Sequence, residues 1–400
     1  MAWKTVKLGD YIQDIAAGPF GSNLKVECFV PDGFPIIDGA NLRGYTVTDN
    51  VTKFVTEEKA RSLYRSIAKR GEVVVTISGN VGQIAYIPYD SKYEEYLVSQ
   101  RQFRVRFKDS VNVPYLVYYF HSREGQHQIL SFVNQTGVPA LAQPLKNFRN
   151  IEFPLPPLET QRRIAAILSS LDDKIENNNC INRNLEAQAQ ALFKSWFVDF
   201  EPFGGTMPED WKEDTIGGKC TCYLGGTPSR AKSEYWNGDI PWINSGEVNK
   251  FRIIEGSEYI TELGLKKSAT KLLPKKTTVL AITGATLGQV SLLEIEACAN
   301  QSVIGILENE KMPYEFIYPL IVNDIEKIIL NQTGGAQQHI NKDNVESHNI
   351  IIPTDEIMAK YKAIQAPLFE TIANNCLESA RLAALRDTLL PKLMRGEITL

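Results

Sequence analysis

Apolar and polar positions change period several times along the chain. Val73–Ile77, Ile84–Ile87 and Gln102–Phe107 are short runs rich in β-branched and aromatic residues, bounded by Gly, Asn and Pro, and they predict strands. Pro114–Phe132 opens on a proline and spaces its apolar residues by three and four, which predicts a helix. The order then recurs: Thr278–Ile282, Gln289–Leu293 and Ser302–Leu307 read as strands and Pro313–Leu330 as a helix. A different pattern follows each block. Ile164, Leu168, Leu171, Ile175, Asn178, Asn182, Leu185, Ala189, Leu192 and Trp196 alternate steps of four and three, the heptad seam of a coiled coil. Residues 160–197 would make a rod of about 57 Å.

The second seam carries Tyr361, Leu368, Ile372, Asn375, Leu382, Leu389 and Leu393, displaced by 197 residues from the first. Between residues 159–197 and 356–394, 10 of 39 positions are identical, against roughly two expected for unrelated sequence. Asn178 and Asn375 are equivalent, and each reads either as a register-fixing polar seam residue or as a solvated mid-helix position. Pro367 and Pro391 stand where the first helix has Ser170 and Lys194, so the second helix is expected to be shorter, about 368–390, or bent at Pro367.

The globular blocks repeat as well. Trp3-Lys4 answers Trp211-Lys212, Pro35-Ile36-Ile37-Asp38 answers Pro241-Trp242-Ile243-Asn244, and Thr76-Ile77-Ser78-Gly79 with Gly82-Gln83 answers Ala281-Ile282-Thr283-Gly284 with Gly288-Gln289. Asn134-Gln135-Thr136-Gly137 answers Asn331-Gln332-Thr333-Gly334. Four matches in one order amount to a duplication. The expected architecture is α+β: two tandem globular domains at 1–155 and 204–352, alternating with long helical segments at 156–203 and 353–400 that carry coiled-coil seams.

Composition narrows the class. Four hundred residues at 43% hydrophobic and 22% charged exclude a disordered chain, a disulfide mini-protein and a low-complexity polymer. No run approaches the ~18 apolar residues of a membrane span, and Met1-Ala2-Trp3-Lys4 opens without a secretory apolar core, so a cytoplasmic chain is expected. The six cysteines form no Cys-x-x-Cys pair, and Cys220 with Cys222 reads as alternate strand positions. Net charge is −4, which by itself does not point to nucleic acid. Residues 1–156 carry 18 Lys+Arg against 15 Asp+Glu, whereas residues 207–352 carry 14 against 19.

Catalytic chemistry is hard to place. Gly18-Pro19-Phe20-Gly21-Ser22 and Gly225-Gly226 fit neither phosphate-binding glycine pattern and read as tight turns. Asp32 with Glu57 and Lys59 loosely matches a nuclease triad, but Thr56-Glu57-Glu58-Lys59 reads as a helix N-terminus rather than the strand such a site needs. Pro156-Pro157 lacks the Asn or Asp before it and the aromatic after it that an amino-methyltransferase requires, and His121, His127, His339 and His348 show no metal spacing.

What recurs is polar side chains in glycine-rich loops, of types that pair with base edges: Asn and Gln with adenine, Arg with guanine. In the first block these are Asn41, Arg43, Ser78, Asn80, Gln83, Arg101, Arg104, Gln135 and Thr136. In the second they are Arg230, Asn244, Ser245, Asn249, Thr283, Thr286, Gln289, Gln332, Thr333, Gln337 and Lys342. Taken singly, each reads equally well as a solvated loop residue; the case rests on recurrence at equivalent places. Arg61-Arg65-Lys69-Arg70 and Lys266-Lys267-Lys271-Lys275-Lys276 are basic clusters suited to phosphates.

The run Pro156-Pro157-Leu158-Glu159-Thr160-Gln161-Arg162-Arg163-Ile164, continued to Leu192-Phe193-Lys194-Ser195-Trp196-Phe197-Val198-Asp199-Phe200-Glu201-Pro202, resembles the specificity subunit of type I restriction–modification systems. Gly225-Gly226-Thr227-Pro228-Ser229, Gly238-Asp239-Ile240-Pro241-Trp242-Ile243 and the C-terminal Leu389–Ile398 are similar to that family too, although Ile352-Pro353-Thr354 replaces a second Pro-Pro-Leu. The resemblance implies a non-catalytic subunit with two target recognition domains that read an asymmetric bipartite double-stranded DNA site, held apart by helical spacers that pair as an antiparallel coiled coil. It also implies docking of two methyltransferase subunits, which bring S-adenosylmethionine for adenine methylation, and of a motor–nuclease subunit using ATP and Mg. The chain itself would bind no cofactor. The alternative is a coiled-coil scaffold whose two domains bind ligands other than DNA.

Overall fold

The computed structural model describes residues 3–42, 44–134, 138–330, 339–398 and 400. It divides into two compact units, Met1–Lys174 with Leu382–Leu400, and Ile175–Arg381.

In the first unit, a four-stranded antiparallel sheet runs in the order Ile12–Ala17, Gln102–Phe107, Val73–Thr76, Ile84–Tyr86. A five-stranded sheet contains the parallel pair Phe34–Ile37 and Glu95–Val98, with Ile36 opposite Leu97. Lys4–Lys7 pairs with Glu152–Leu155. The second unit repeats this framework. Thr221–Leu224, Val303–Leu307, Thr278–Ala281 and Val290–Leu292 form the four-stranded sheet, Trp236–Ile243 runs parallel to Cys298–Ala299, and Lys212–Thr215 pairs with Asn349–Ile352. The duplication read in sequence is a duplication of topology.

Strand period explains the layering. Val73 and Val75 enter the core that holds Phe103, Tyr115 and Phe120, while Val74 points the other way, into a core with Ile37, Ala85 and Tyr96. In the second unit Leu280 joins Phe316 and Ile317, whereas Val279 and Ala281 join Ile243 and Ile253. Alternate residues thus seal two faces of one sheet, each buried side chain contributing about 1.5–3 kcal/mol. Cys220 and Cys222 both face the core of the second unit, and burial pushes each thiol up to about 12.

Two helix expectations change. The stretch 114–132 is two helices, Val113–His121 and Arg123–Leu130. Ser122 between them is extended, and its Oγ accepts from the Gly125 amide at 3.2 Å. The tight return brings Gly125 so near the Tyr119 carbonyl that a Cβ would lie 2.2 Å from it. In the second unit Tyr314–Leu330 is continuous, with Pro319 inside it.

The long helices are Leu158–Phe197 and Asp355–Met394, each of 40 residues. The second is therefore not shortened to about 368–390: Pro367 and Pro391 lie within it. A proline removes one backbone hydrogen bond, but the burial of Tyr361, Gln365, Phe369 and Ile372 around Pro367 outweighs that local loss. Pairing is antiparallel in both units. In the second, Asn375 faces Asn182 and Gln365 donates to the Ala189 carbonyl at 2.9 Å; in the first, Arg386 reaches Asp172 at 2.6 Å.

Burial departs from the strict seam. Ile164, Leu168, Asn178, Asn182 and Ile372 are buried, but Leu171, Ile175, Leu185, Leu192, Leu368, Leu382 and Leu389 are only half-buried. Phe193 and Phe197 are buried instead, packed both on Tyr361 of the partner helix and on Trp211 and Phe316 of the globular part, so the stripe widens to take in the domain.

Candidate nucleic-acid interface

Both units build the same loop at the end of the same sheet. In the first, the chain leaves Val73–Thr76 and returns at Ile84, closed by the Thr76 amide on the Gln83 carbonyl at 2.8 Å. In the second, the Ala281 amide closes on Gln289 at 2.9 Å. Gly79 and Gly82 have φ of +89° and +83°, and Gly284 and Gly288 have +66° and +84°. Left-handed backbone favours glycine, which is why a glycine pair recurs here, three residues apart in the first copy and four in the second.

The loops are anchored alike. Ile77 donates to the Arg101 carbonyl at 2.7 Å and Ile282 to the Ser302 carbonyl at 2.9 Å. Leu141 donates to Ile77 and Ile340 to Ile282, at 2.9 and 3.1 Å. Ser78, Asn80 and Arg101 are brought together in a groove of about 580 Å³, with Lys53, Asp38 and Gln100. Beside it, Gln83 Oε1 is buried without a hydrogen-bond partner, and so is Gln289 Oε1 in the second unit. Equivalent glutamines thus hold an unsatisfied acceptor in both copies, a cost of about 1–3 kcal/mol each. Thr283 and Thr286 lie in the second loop, and Thr286 Oγ1 donates to the Thr283 carbonyl at 3.2 Å.

Other sequence candidates are taken up by the fold. Asn41 is buried, its amide donating to the Thr48 and Asn50 carbonyls at 3.3 and 3.1 Å and its Oδ1 accepting from Asp38 N. Arg104 is buried, bonded to Asp14 at 2.7 Å and Glu72 at 3.3 Å, so its guanidinium is not presented to a base. The Arg104 hydrogen bond holds the Asp14 carboxyl below the usual aspartate range. Asn244 caps the short Ser245–Asn249 helix, accepting from Gly246 N at 2.7 Å, as Asp38 caps Gly39–Asn41. Arg230 is paired in a fork with Glu258 at 2.6 Å and stacked 3.7 Å over Trp236. Lys342 pairs with Glu346 at 3.1 Å. Asn249 is exposed and Ser245 partly so. Arg43, Gln135, Thr136, Gln332, Thr333 and Gln337 lie outside the described residues.

The basic clusters are largely neutralised internally: Arg61 and Lys69 meet Glu95, and Lys275 and Lys276 meet Glu294. Thr56 caps Glu57–Ser62, its Oγ1 accepting from Lys59 N at 3.2 Å, so Glu57 and Lys59 start a helix. Among the described residues no three His, Cys, Asp or Glu side chains could hold a metal ion, and no helix is long and apolar enough to cross a membrane.

Sequence patterns did not disclose the contacts that hold each globular part to the helices. In the second unit the Arg252 side chain is fully buried, its guanidinium 2.7 Å from Glu186 and 3.2 Å from the Tyr318 hydroxyl. In the first, Tyr118 donates to Asp172 at 2.5 Å, and Arg386 meets the other oxygen of that carboxylate. The partners lie 54 to 214 residues apart in the chain, beyond any local pattern.

Residues 2–187 and 208–384 match the model of the type I restriction modification DNA specificity domain. The chain is 28% identical to the MjaIX type I restriction enzyme specificity subunit of Methanocaldococcus jannaschii, over 99% of this chain and 93% of that protein. It is 24% identical to the HindI specificity subunit of Haemophilus influenzae, over 82% and 87%. The fold is similar to the crystal structure of a type-I restriction-modification S subunit from M. genitalium, with a TM-score of 0.63, 16% identity, and coverage of 98% of this chain and 96% of that one.

Proposed function

The chain belongs to the type I restriction–modification DNA specificity family, and from that premise we propose that it selects an asymmetric, two-part DNA site, one half per globular domain, without performing chemistry itself. The observation that carries this reading is the repeated loop: one backbone framework, twice, with different side chains mounted on it. Ser78-Gly79-Asn80 in one domain stands where Thr283-Gly284-Ala285 stands in the other. Like frameworks, the second one residue longer, with unlike polar surfaces suit two different base sequences.

In this account the complex is cytoplasmic, and the paired helices dock two methyltransferase subunits whose S-adenosylmethionine methylates adenine. A motor–nuclease subunit adds ATP- and Mg-dependent restriction. The modest charge fits, because the partners can supply much of the phosphate contact. The test is a mobility shift of the chain with its methyltransferase partner on genomic fragments, followed by mapping of methylated adenines. Sequence-selective binding and methylation support the proposal; ligand binding without any DNA selectivity would favour a scaffold.

A further inference from the structure

The two domains differ at one backbone address that both use to anchor the loop. The carbonyl of residue 101 accepts from Ile77 N, and the carbonyl of residue 302 accepts from Ile282 N, at 2.7 and 2.9 Å. The first address carries Arg101 and the second Ser302. Arg101 is exposed, and its Nη1 lies 3.8 Å from where a Cβ on Gly79 would stand, above bare backbone of the recurring loop.

Its neighbours are committed elsewhere. Lys53, the other cation among the described residues that line the groove, is paired with Asp38 at 2.6 Å. Arg104 and Arg106 meet Glu72, and Arg61 meets Glu57 and Glu95. Among the described residues Arg101 has no carboxylate within ion-pair distance. Around it stand Ser78, Asn80 and Gln100, neutral donors and acceptors rather than the cluster of cations that would grip phosphate.

We propose that Arg101 reads a guanine in the half-site of the first domain, and that the second domain selects its bases with no guanidinium at the matching place. This rests on the two-part DNA-reading function proposed above. The planar guanidinium fork matches guanine O6 and N7. The glycine beneath it lets the base edge approach, and the short tie to Ile77 fixes where the fork starts.

The experiment uses the chain with its methyltransferase partner, as wild type, Arg101→Gln and Arg101→Lys, methylating a DNA library randomised across both halves. The wild type is expected to require a guanine in one half. Arg101→Gln is expected to lose that requirement, with roughly a ten- to hundredfold fall on guanine-containing sites and a gain of adenine there, while the other half stays unchanged and so reports a folded complex. Arg101→Lys keeps charge without the fork and is expected to discriminate less than wild type. If Arg101→Gln weakens all sequences uniformly and lowers the salt slope by about one, the side chain grips phosphate and the inference fails. A two-part motif whose halves both survive Arg101→Gln also overturns it, while leaving the DNA-reading function standing. A wild-type complex with no two-part motif overturns both.

Discussion

Asn375 donates its side-chain amide to Asn182 Oδ1 at 2.9 Å, and Asn178 donates to Glu378 and Ser379 at 2.7 and 3.3 Å. Displaced by 197 residues, Asn178 becomes Asn375 and Asn182 becomes Ser379. The two contacts are therefore copies of one another about the middle of the helix pair. Of the two sequence readings, the polar seam fits the buried Asn178, whereas Asn375 is half-buried and bonded across the pair to the buried Asn182.

Asn375→Leu should strand the buried Asn182 carboxamide and cost about 1–3 kcal/mol. Asn182→Leu with Asn375→Leu should recover most of that, because removing both partners is nearly neutral. Urea melts of the three variants check this; a double mutant as weak as the single would show that packing, not the unmet amide, sets the cost.

Arg252 and Glu186 should matter far more than the equally short pair Arg230 and Glu258. The Arg252 side chain is 0% exposed and Arg230 55%. Glu186→Ala leaves a buried charge and should cost about 3–5 kcal/mol, whereas Glu258→Ala should cost about 0–1 kcal/mol. Thermal melts compare them, and equal losses would contradict the argument.

Among the groups whose titration the fold shifts, His121 and Asp324 act on stability in different pH windows. Burial foremost, with Arg386 adding, holds His121 below its ordinary 6.5, though the Ile84 carbonyl opposes. The unfolded chain then takes up a proton first, so this contribution is whole above pH 6.5 and declines as pH falls below it. For Asp324 burial raises the pKa, but the bonds from His348 and Lys327 outweigh it and leave the carboxyl below 3.8. Its contribution is present above that value and lost as pH falls through the lower, folded one. His121→Gln should flatten the fall in urea midpoint between pH 7.5 and 5.5, and Asp324→Asn only the steeper fall in stronger acid. Unchanged profiles would sink both assignments.

The heptads, the duplication and the glycine loops are legible because each depends on local spacing. The break at Ser122 is not, since no apolar side chain stands between Phe120 and Ile129 and periodicity carries no signal there, while the Ser122 cap on the Gly125 amide starts a second helix. Pro367 misleads for the opposite reason: tertiary burial overrides a local breaker. In the candidate interface, composition offers Asn41, Arg104 and Arg101 alike. Only the fold separates a loop staple and a buried ion pair from a side chain left free, because the partners Asp14 and Glu72 come from distant strands and turns.

Mapping every methylated adenine in a host carrying this chain with its methyltransferase partner tests the central claim most directly. The two repeated loops, with unlike side chains on like frameworks and read here as the proposed DNA-reading elements, predict a motif of two unrelated half-sequences around an unspecified spacer. Exchange of residues 1–155 for those of a relative should rewrite one half alone. A palindromic or single contiguous motif, or an exchange that alters both halves, would contradict the account.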